Sequence, residues 1–307
     1  MNSQISVISS VKYCLYQAMS DKIELSAVIV TWNSEKEIEK CLESVAAASK
    51  EIKSEIIVID NNSEDRTQEV VMDMIKSNSG IKFIQNNDNK GYTKACNQGL
   101  EIAAGENILL LNPDTILNSS CIELLIKKLN SDSKTGAIAP QLLNPDSTIQ
   151  FSCRTFPEYR DLFFEMTLIS SLFSKSRFFS RWKMNYFSHN IESPVDQPMA
   201  AALMIKRDVL LTAGNFDERY NMFFNDVDLC KKIHDKGYKI IFYPEAKIIH
   251  EKGISIYKDR ERMIKVWSED CLKYFRKYHY NFILYNLLLI SLKITGLIRI
   301  SLYKITK

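Results

Sequence analysis

The sequence predicts an α/β fold: a single, mostly parallel sheet flanked by helices, followed by an apolar helical tail. Three observations point there. Short aliphatic runs of the buried-strand kind alternate with stretches of helical period through the first 130 residues, the pattern of βαβ units. Small polar residues follow three of these runs, in "TWNS" (31–34), "DNNS" (60–63) and "NPDT" (112–115). Parallel sheets bind ligands beyond the carboxyl ends of their strands, where these residues fall. Finally, residues 278–292, "YHYNFILYNLLLISL", contain no Lys, Arg, Asp or Glu.

The elements follow in order. "SAVIVT" (26–31) reads as a first strand, and residues 35–47 place Ile38, Cys41, Leu42 and Val45 at helical spacing. "EIIVID" (55–60) is a second strand, and Asp65 to Lys76 a helix with Val70, Val71, Met74 and Ile75 inward. "IKFIQN" (81–86) is a third strand, 93–104 a helix ending near Gly105, "NILLLN" (107–112) a fourth strand and 119–129 a helix. "IAPQLLNPDSTIQFS" (138–152) reads as two short strands around a turn. Residues 157–190 are aromatic and basic without a clean period, an irregular insertion. "MAAALMIKR" (199–207) is a buried strand. "NDVDLCKKIHDKGY" (225–238) opens on acids and ends Lys-x-Gly, signals of helix start and stop. "KIIFYPEAKIIH" (239–250) reads as strand, turn and strand.

The chain has 307 residues, 46% hydrophobic and 25% charged, an ordinary globular composition that admits one large domain or two. Its seven cysteines show no C-x-x-C spacing, which argues against a disulfide framework or a Cys-based zinc site and fits a reduced, cytosolic compartment. Residues 1–24 lack the pattern of a cleavable signal peptide and read as an extension with a short amphipathic helix around Val11–Met19. From Cys271 to Lys307 there are seven basic residues and no acid, so removing them from the formal charge of +3 leaves −4 for the rest. A mildly acidic body with a basic, apolar tail points to a membrane surface and away from nucleic acid.

Asp60, Asp114, Asp226, Asp228 and His250 sit at strand ends or helix starts rather than on solvated faces. Asp114 follows the strand "ILLL", where a carboxylate can hold Mg²⁺ or Mn²⁺ alongside substrate phosphates. The tripeptide Asn-Pro-Asp recurs at 144–146, and on the tripeptide alone both copies read as turns. Asp146 follows only "QLL" and leads into another β-like run, as a hairpin turn does. Asp226 and Asp228, taken alone, read as acids complementing a helix N-terminus, and a lone His250 as a packed or capping residue.

Together these stretches resemble glycosyltransferase family 2, nearest the rhamnosyltransferase-like enzymes of bacterial surface polysaccharide synthesis. The matching runs are "AVIVTWNSEKEIEKCLESV", "EIIVIDNNSEDRT", "NNDNKGYTKACNQGLEIAAGENILLLNPDT" and the stretch from Val195 to Gly253. The resemblance implies a type A glycosyltransferase (GT-A) fold over 25–255, with a nucleotide-binding half at 25–130, an acceptor-side half at 131–255 and a membrane-associating tail at 256–307. It implies donor contacts at Thr31, Asn33, Asp60, Asn62, Asn89, Gly91, Asn97, Asn112 and Asp114, with Asp60 accepting the pyrimidine N–H of a UDP or dTDP donor. Asp114 and His250 are the implied ligands of Mg²⁺ or Mn²⁺, Asp226 the catalytic base, and Ala200, Asn225 and Asp228 the acceptor side. The implied reaction is inverting, metal-dependent transfer of a sugar, rhamnose favoured, to a saccharide or lipid-linked acceptor at the inner face of the cell membrane.

Asn225 stands where relatives usually carry Glu, and Ala200 and Asn215 where Gly is common. A nucleotidyltransferase is disfavoured because "TWNSEKE" (31–37) lacks the Gly-rich basic loop of that class. A non-catalytic sugar-nucleotide-binding protein rests on Asn225 alone. The 15 uncharged residues at 278–292 fall short of the roughly 20 needed to span a bilayer, so the tail reads as an in-plane or re-entrant helix.

Overall fold

The computed structural model describes residues 22–251 and 260–305. The helix expected near Val11–Met19 lies outside them. In the first half β1 (Leu25–Thr31), α1 (Ile38–Ala48), β2 (Ser54–Asp60), α2 (Thr67–Ser77), β3 (Ile81–Gln85), α3 (Tyr92–Ile102), β4 (Asn107–Leu111) and α4 (Cys121–Leu129) alternate as expected, with an additional short strand, β5 (Thr115–Leu117), before α4. There follow β6 (Thr135–Leu143), β7 (Ile149–Gln150), β8 (Cys153–Arg154), α5 (Tyr159–Met166), α6 (Ile169–Leu172), β9 (Ser193–Pro194), β10 (Gln197–Pro198), β11 (Ala202–Lys206) and α7 (Arg207–Ala213). The last elements are α8 (Asn225–Asp235), β12 (Lys239–His250), α9 (Arg260–Tyr278) and α10 (Phe282–Ile305).

The main sheet runs β3-β2-β1-β4-β11-β6-β12-β5, so both halves of the chain share it. Strands β1 to β4 are mutually parallel, and β11 enters antiparallel between β4 and β6. Every residue of β1 is buried because helices cover both faces. Ala27 and Ile29 pack into the core on one face and Val28 and Val30 into the core on the other, the period-two alternation of a strand. Helix α3 lies so close to β1 that a Cβ at Gly99 would come 2.5 Å from Val28 Cγ1. The six described cysteines are buried and unpaired.

Two expectations are corrected. Residues 239–250 form one strand, not two with a turn. The register of β12 on β6 shifts between Tyr243 and Lys247, a bulge that lets Pro244 sit within the strand. The strand therefore continues to pair with β5, setting His250 opposite Thr115. The tail helix α10 is longer than the uncharged run: its 24 residues, at about 1.5 Å each, extend roughly 36 Å. Its length and composition suffice to cross a membrane, and only 11% of its apolar window is buried. Lys293 and Arg299 interrupt the apolar run without breaking the helix.

A third core joins the tail to the body. Leu162, Trp182, Phe224, Val227, Cys271, Tyr274, Phe275, Leu288 and Leu292 pack together, so α9 and α10 lie against the start of α8.

Candidate active site

A cleft of about 770 Å³ opens beyond the carboxyl ends of β1 and β4 and is closed on the far side by the starts of α3 and α8 and by α9. Of the expected residues, Thr31, Asn89, Gly91, Asn112, Asp114, Ala200, Asn225, Asp226 and His250 line it, whereas Asn33, Asp60, Asn62, Asn97 and Asp228 do not. The structure thus brings Asp114 and Asp226, from opposite halves of the chain, to one cavity.

At the Asp114 corner, the backbone is clamped by the β5–β12 ladder and by the Glu251 amide donating to the Asp114 carbonyl at 2.9 Å. His250 Nε2 lies 3.4 Å from Asp114 Oδ1, and that oxygen is buried without a hydrogen-bond partner. The reason is a chain of hydrogen bonds from the second Asn-Pro-Asp. Asp146, an acceptor only, takes Thr148 Oγ1–H at 2.6 Å, and Thr148 Oγ1 accepts from Asn144 Nδ2 at 2.9 Å. Asn144 Oδ1 then accepts from Gln150 Nε2 at 2.9 Å, which leaves Gln150 Oε1 to accept from His250 Nδ1–H at 2.7 Å. Nδ1 therefore carries a proton, and in the neutral imidazole the Nε2 lone pair faces the lone pairs of Asp114. Two acceptors facing each other across a buried gap suit a cation. Asn112 Nδ2 reaches Nε2 only at 3.5 Å. Asp146 itself makes a hairpin turn between β6 and β7, as its sequence context implied. Gln150 was not singled out from sequence: its role appears only once β7 and β12 come together.

Among the described residues no three His, Cys, Asp or Glu side chains are grouped to hold a metal. Asp114 and His250 could supply two ligands, a set that fits Mg²⁺ or Mn²⁺, ions that take one or two carboxylates and complete their shell with substrate phosphates and water.

At the other end, Phe224 adopts φ 59° immediately before α8, a left-handed conformation rare for a bulky residue, and turns the helix start into the cleft. Asn225 Oδ1 accepts from the Asp226 amide at 2.7 Å and its Nδ2 donates to Thr93 at 3.1 Å, so the residue that replaces Glu ties α8 to α3. Asp226 accepts from the Val227 amide at 2.8 Å and from Gln197 Nε2 at 3.0 Å. Burial holds its carboxyl above the usual range, opposed by its amide hydrogen bonds and the positive charge of Arg154.

Of the remaining expected residues, Thr31, Asn89 and Gly91 lie on the cleft wall and the others behind it. Asn33 and Asn62 both take positive φ, 52° and 63°, in the loops after β1 and β2. Asn33 Oδ1 accepts from the Glu64 amide at 2.8 Å, tying these loops together. Asp60 is fully buried, its carboxylate held by the Ser63 amide and hydroxyl and by Gln68. Thr31 Oγ1, by contrast, is buried without a partner at the cleft wall. Asn89 Oδ1 accepts from Asn61 and from the Gly91 amide, and Gly91 at φ 81° opens α3 in a conformation that a side chain would strain. Asn97 bonds both the amide and the carbonyl of Phe216, joining α3 to the loop before α8. Asn215 meets Lys232 through its carbonyl.

Asp228, expected on the acceptor side, lies beneath the cleft. It is fully buried and bound by Lys277 and by the Tyr278 hydroxyl, fastening α8 to α9. Asp270 on α9, which drew no attention in the sequence, accepts from the Asn221, Met222 and Phe223 amides and pairs with Lys273 at 2.8 Å. These bonds shape the loop that presents Asp226.

Several known proteins share this architecture. The solved mannosyltransferase PcManGT of Pyrobaculum calidifontis, in complex with GDP-Man and Mn²⁺, superposes with a TM-score of 0.58 at 17% identity, over 89% of this chain and 74% of that one, and identifies the GT-A fold. N-acetylglucosaminyl-diphospho-decaprenol L-rhamnosyltransferase of Mycobacterium tuberculosis is 26% identical over 252 residues, 76% of this chain and 78% of the relative. Poly-beta-1,6-N-acetyl-D-glucosamine synthase of Staphylococcus aureus is 26% identical over 261 residues, 83% of this chain but 57% of the synthase. The model of "Glycosyl transferase family 2" matches residues 26–189, more than half of the chain, across the strands and loops that carry the Asp114 side of the cleft. The chain belongs to glycosyl transferase family 2.

Proposed function

We propose that this glycosyltransferase moves rhamnose from a dTDP- or UDP-linked donor to a saccharide or lipid-linked acceptor in cell-surface polysaccharide synthesis, inverting the anomeric centre in one displacement. The observation that carries the reading is the shared cleft of Asp114 and Asp226. The nucleoside end lies along Thr31, Trp32, Asn61 and Asn89, and the diphosphate toward Gly91 and Asp114. Asp114 and His250 would hold Mg²⁺ or Mn²⁺, which supplies neutralisation of the charge developing on the leaving diphosphate. Asp226 takes the proton of the acceptor hydroxyl as that oxygen bonds the anomeric carbon and the bond to the diphosphate breaks. Gln197 and the Val227 amide leave each Asp226 oxygen a lone pair for that proton. The rhamnosyl preference is supported by the name of the mycobacterial relative.

The test is a donor panel. Full-length protein with Mn²⁺ should slowly release dTDP or UDP from one sugar nucleotide, fastest from dTDP-rhamnose. Release from none of dTDP-rhamnose, UDP-glucose, UDP-galactose and UDP-N-acetylglucosamine contradicts the reading.

Gln150→Leu should weaken Mn²⁺ binding in the presence of UDP by about 10–100-fold, because loss of the acceptor for Nδ1–H frees the His250 tautomer and ring. Calorimetric titration reads this without turnover, and an unchanged affinity refutes the role.

The tail holds the enzyme at the inner leaflet. Helix α10 runs alongside α9 rather than away from the body: Lys304 reaches Glu261 at 3.5 Å, and Arg260 stacks on Tyr303 at 5.3 Å. At the other end Leu288 and Leu292 enter the third core. A helix fastened at both ends to the catalytic body lies in the membrane plane. Its outer face carries Ile283, Leu287, Ile290, Ile294, Leu297 and Ile298, all more than half exposed. Replacing Leu287, Ile294 and Leu297 by Glu should abolish co-sedimentation with anionic vesicles while the thermal midpoint holds. Undiminished sedimentation contradicts the assignment.

A further inference from the structure

A second cavity, of about 290 Å³, lies between α5, the Trp182–Lys183 segment and α10. Arg154, Trp182 and Trp267 line both this cavity and the main cleft, so the two meet at these side chains. Arg154 stands at the junction with its guanidinium 5.4 Å above the Trp182 ring. Among the described residues no carboxylate lies within ion-pair distance of Arg154 or of Arg299, which lines the same cavity from α10. The one acid in the lining, Glu165, is already paired with Lys183. Leu162 and Met166 from α5 and Leu292 from α10 add apolar walls, beside Thr295. The cavity therefore offers a desolvated cation, a second cation and an apolar lining, a combination that matches an anion attached to a hydrocarbon chain.

Its surroundings place it beside an apolar outer surface and beside Asp226. Apolar side chains are exposed on both sides: Phe163 of α5 with Leu168 and Leu172 just beyond it, and Leu284 and Leu287 of α10. Through backbone pairing Arg154 also lies opposite Gln197, whose side chain donates to Asp226. A phosphate at Arg154 thus sits one short step from the base that deprotonates the acceptor.

We propose that this cavity binds the diphosphate end of a membrane-anchored acceptor. Arg154 and Arg299 hold the phosphates, the first sugar reaches toward Asp226, and the lipid leaves between α5 and α10 into the membrane. The assignment rests on the glycosyltransferase reading above and names the acceptor subsite of that reaction. It explains why a helix lying on the membrane also walls a cavity that meets the active cleft.

The probes are farnesyl diphosphate, farnesol and inorganic pyrophosphate, titrated into full-length protein in detergent and followed by Trp fluorescence and calorimetry. Farnesyl diphosphate should bind about tenfold more tightly than either fragment, and saturating UDP with Mn²⁺ should not displace it. Arg154→Ala and the exposed Arg299→Ala should each weaken it about tenfold, and Thr295→Trp, which fills the cavity from α10, should abolish it. Displacement by UDP, or wild-type affinity in both Arg variants, overturns the proposal. Donor hydrolysis by the wild type separates the two levels. Hydrolysis without farnesyl diphosphate binding removes only the subsite, and binding without hydrolysis of any sugar nucleotide removes the transfer reaction.

Discussion

Asp226→Asn is expected to lower the transfer rate by roughly 10²–10⁴-fold while donor and Mn²⁺ affinities stay within a few-fold of the wild type. The amide keeps the size of the carboxylate and its single oxygen still accepts from the Val227 amide; the bond from Gln197 Nε2 to the other oxygen is lost, while the loop before α8 stays held by Asp270. What is lost is the lone pair that takes the acceptor proton. The same residue sets the pH profile. A base works deprotonated, so below its pKa kcat/KM falls about tenfold per pH unit. Burial raises the Asp226 pKa, so the acid limb should lie above the ordinary Asp range near 4 and disappear in the Asn variant. An acid limb at the ordinary position, or a variant retaining a tenth or more of the activity, removes Asp226 from this role.

Asp270→Ala should be the most damaging change outside the cleft. The carboxylate is fully buried and accepts from three consecutive amides while paired with Lys273. Truncation leaves these donors and the ammonium without their acceptor, a cost of roughly 3–5 kcal/mol for removing one partner of a buried charged network. Those amides belong to the turn that drives Phe224 to positive φ and points Asp226 into the cavity. Stability and transfer should therefore fall together, read by denaturant midpoint and kcat. Asp270→Asn retains one acceptor oxygen and should recover part of both. Full activity in the Ala variant contradicts the view that α9 holds the base in place.

The alternation of strands and helices was legible because each buried strand is apolar along its length and each helix repeats its apolar side chains at helical spacing. The same reasoning separated the two Asn-Pro-Asp copies: Asp114 ends a buried strand at the cleft, and Asp146 turns a hairpin. What the copies have in common was hidden. The second supports the first through Thr148, Asn144, Gln150 and His250, and no local pattern marks Gln150, since its partner lies 100 residues away on β12. Asp270 was hidden for a related reason. An acid three residues before a lysine on a charged helix looks solvated, and only the packing of α9 against the loop before α8 buries it. Asp60, Asn62 and Asn97 were donor contacts implied by the family resemblance; in the fold Asp60 and Asn97 direct their polar atoms into loop and inter-element hydrogen bonds, and Asn62 lies off the cleft lining. In the tail, Lys293 and Arg299 seemed to end the apolar segment. A helix places Arg299 in line with Leu288, Leu292 and Thr295, so this exposed side chain borders the second cavity on the stripe nearest the body.

The central claim is that Asp114 and Asp226 face each other across one bound donor. A crystal structure of Asp226→Asn with Mn²⁺ and an intact dTDP- or UDP-sugar tests it most directly. The account predicts the metal on Asp114 and His250, the diphosphate against it, and the anomeric carbon turned toward residue 226. A donor whose diphosphate lies away from Asp114, or whose anomeric carbon faces away from residue 226, contradicts it.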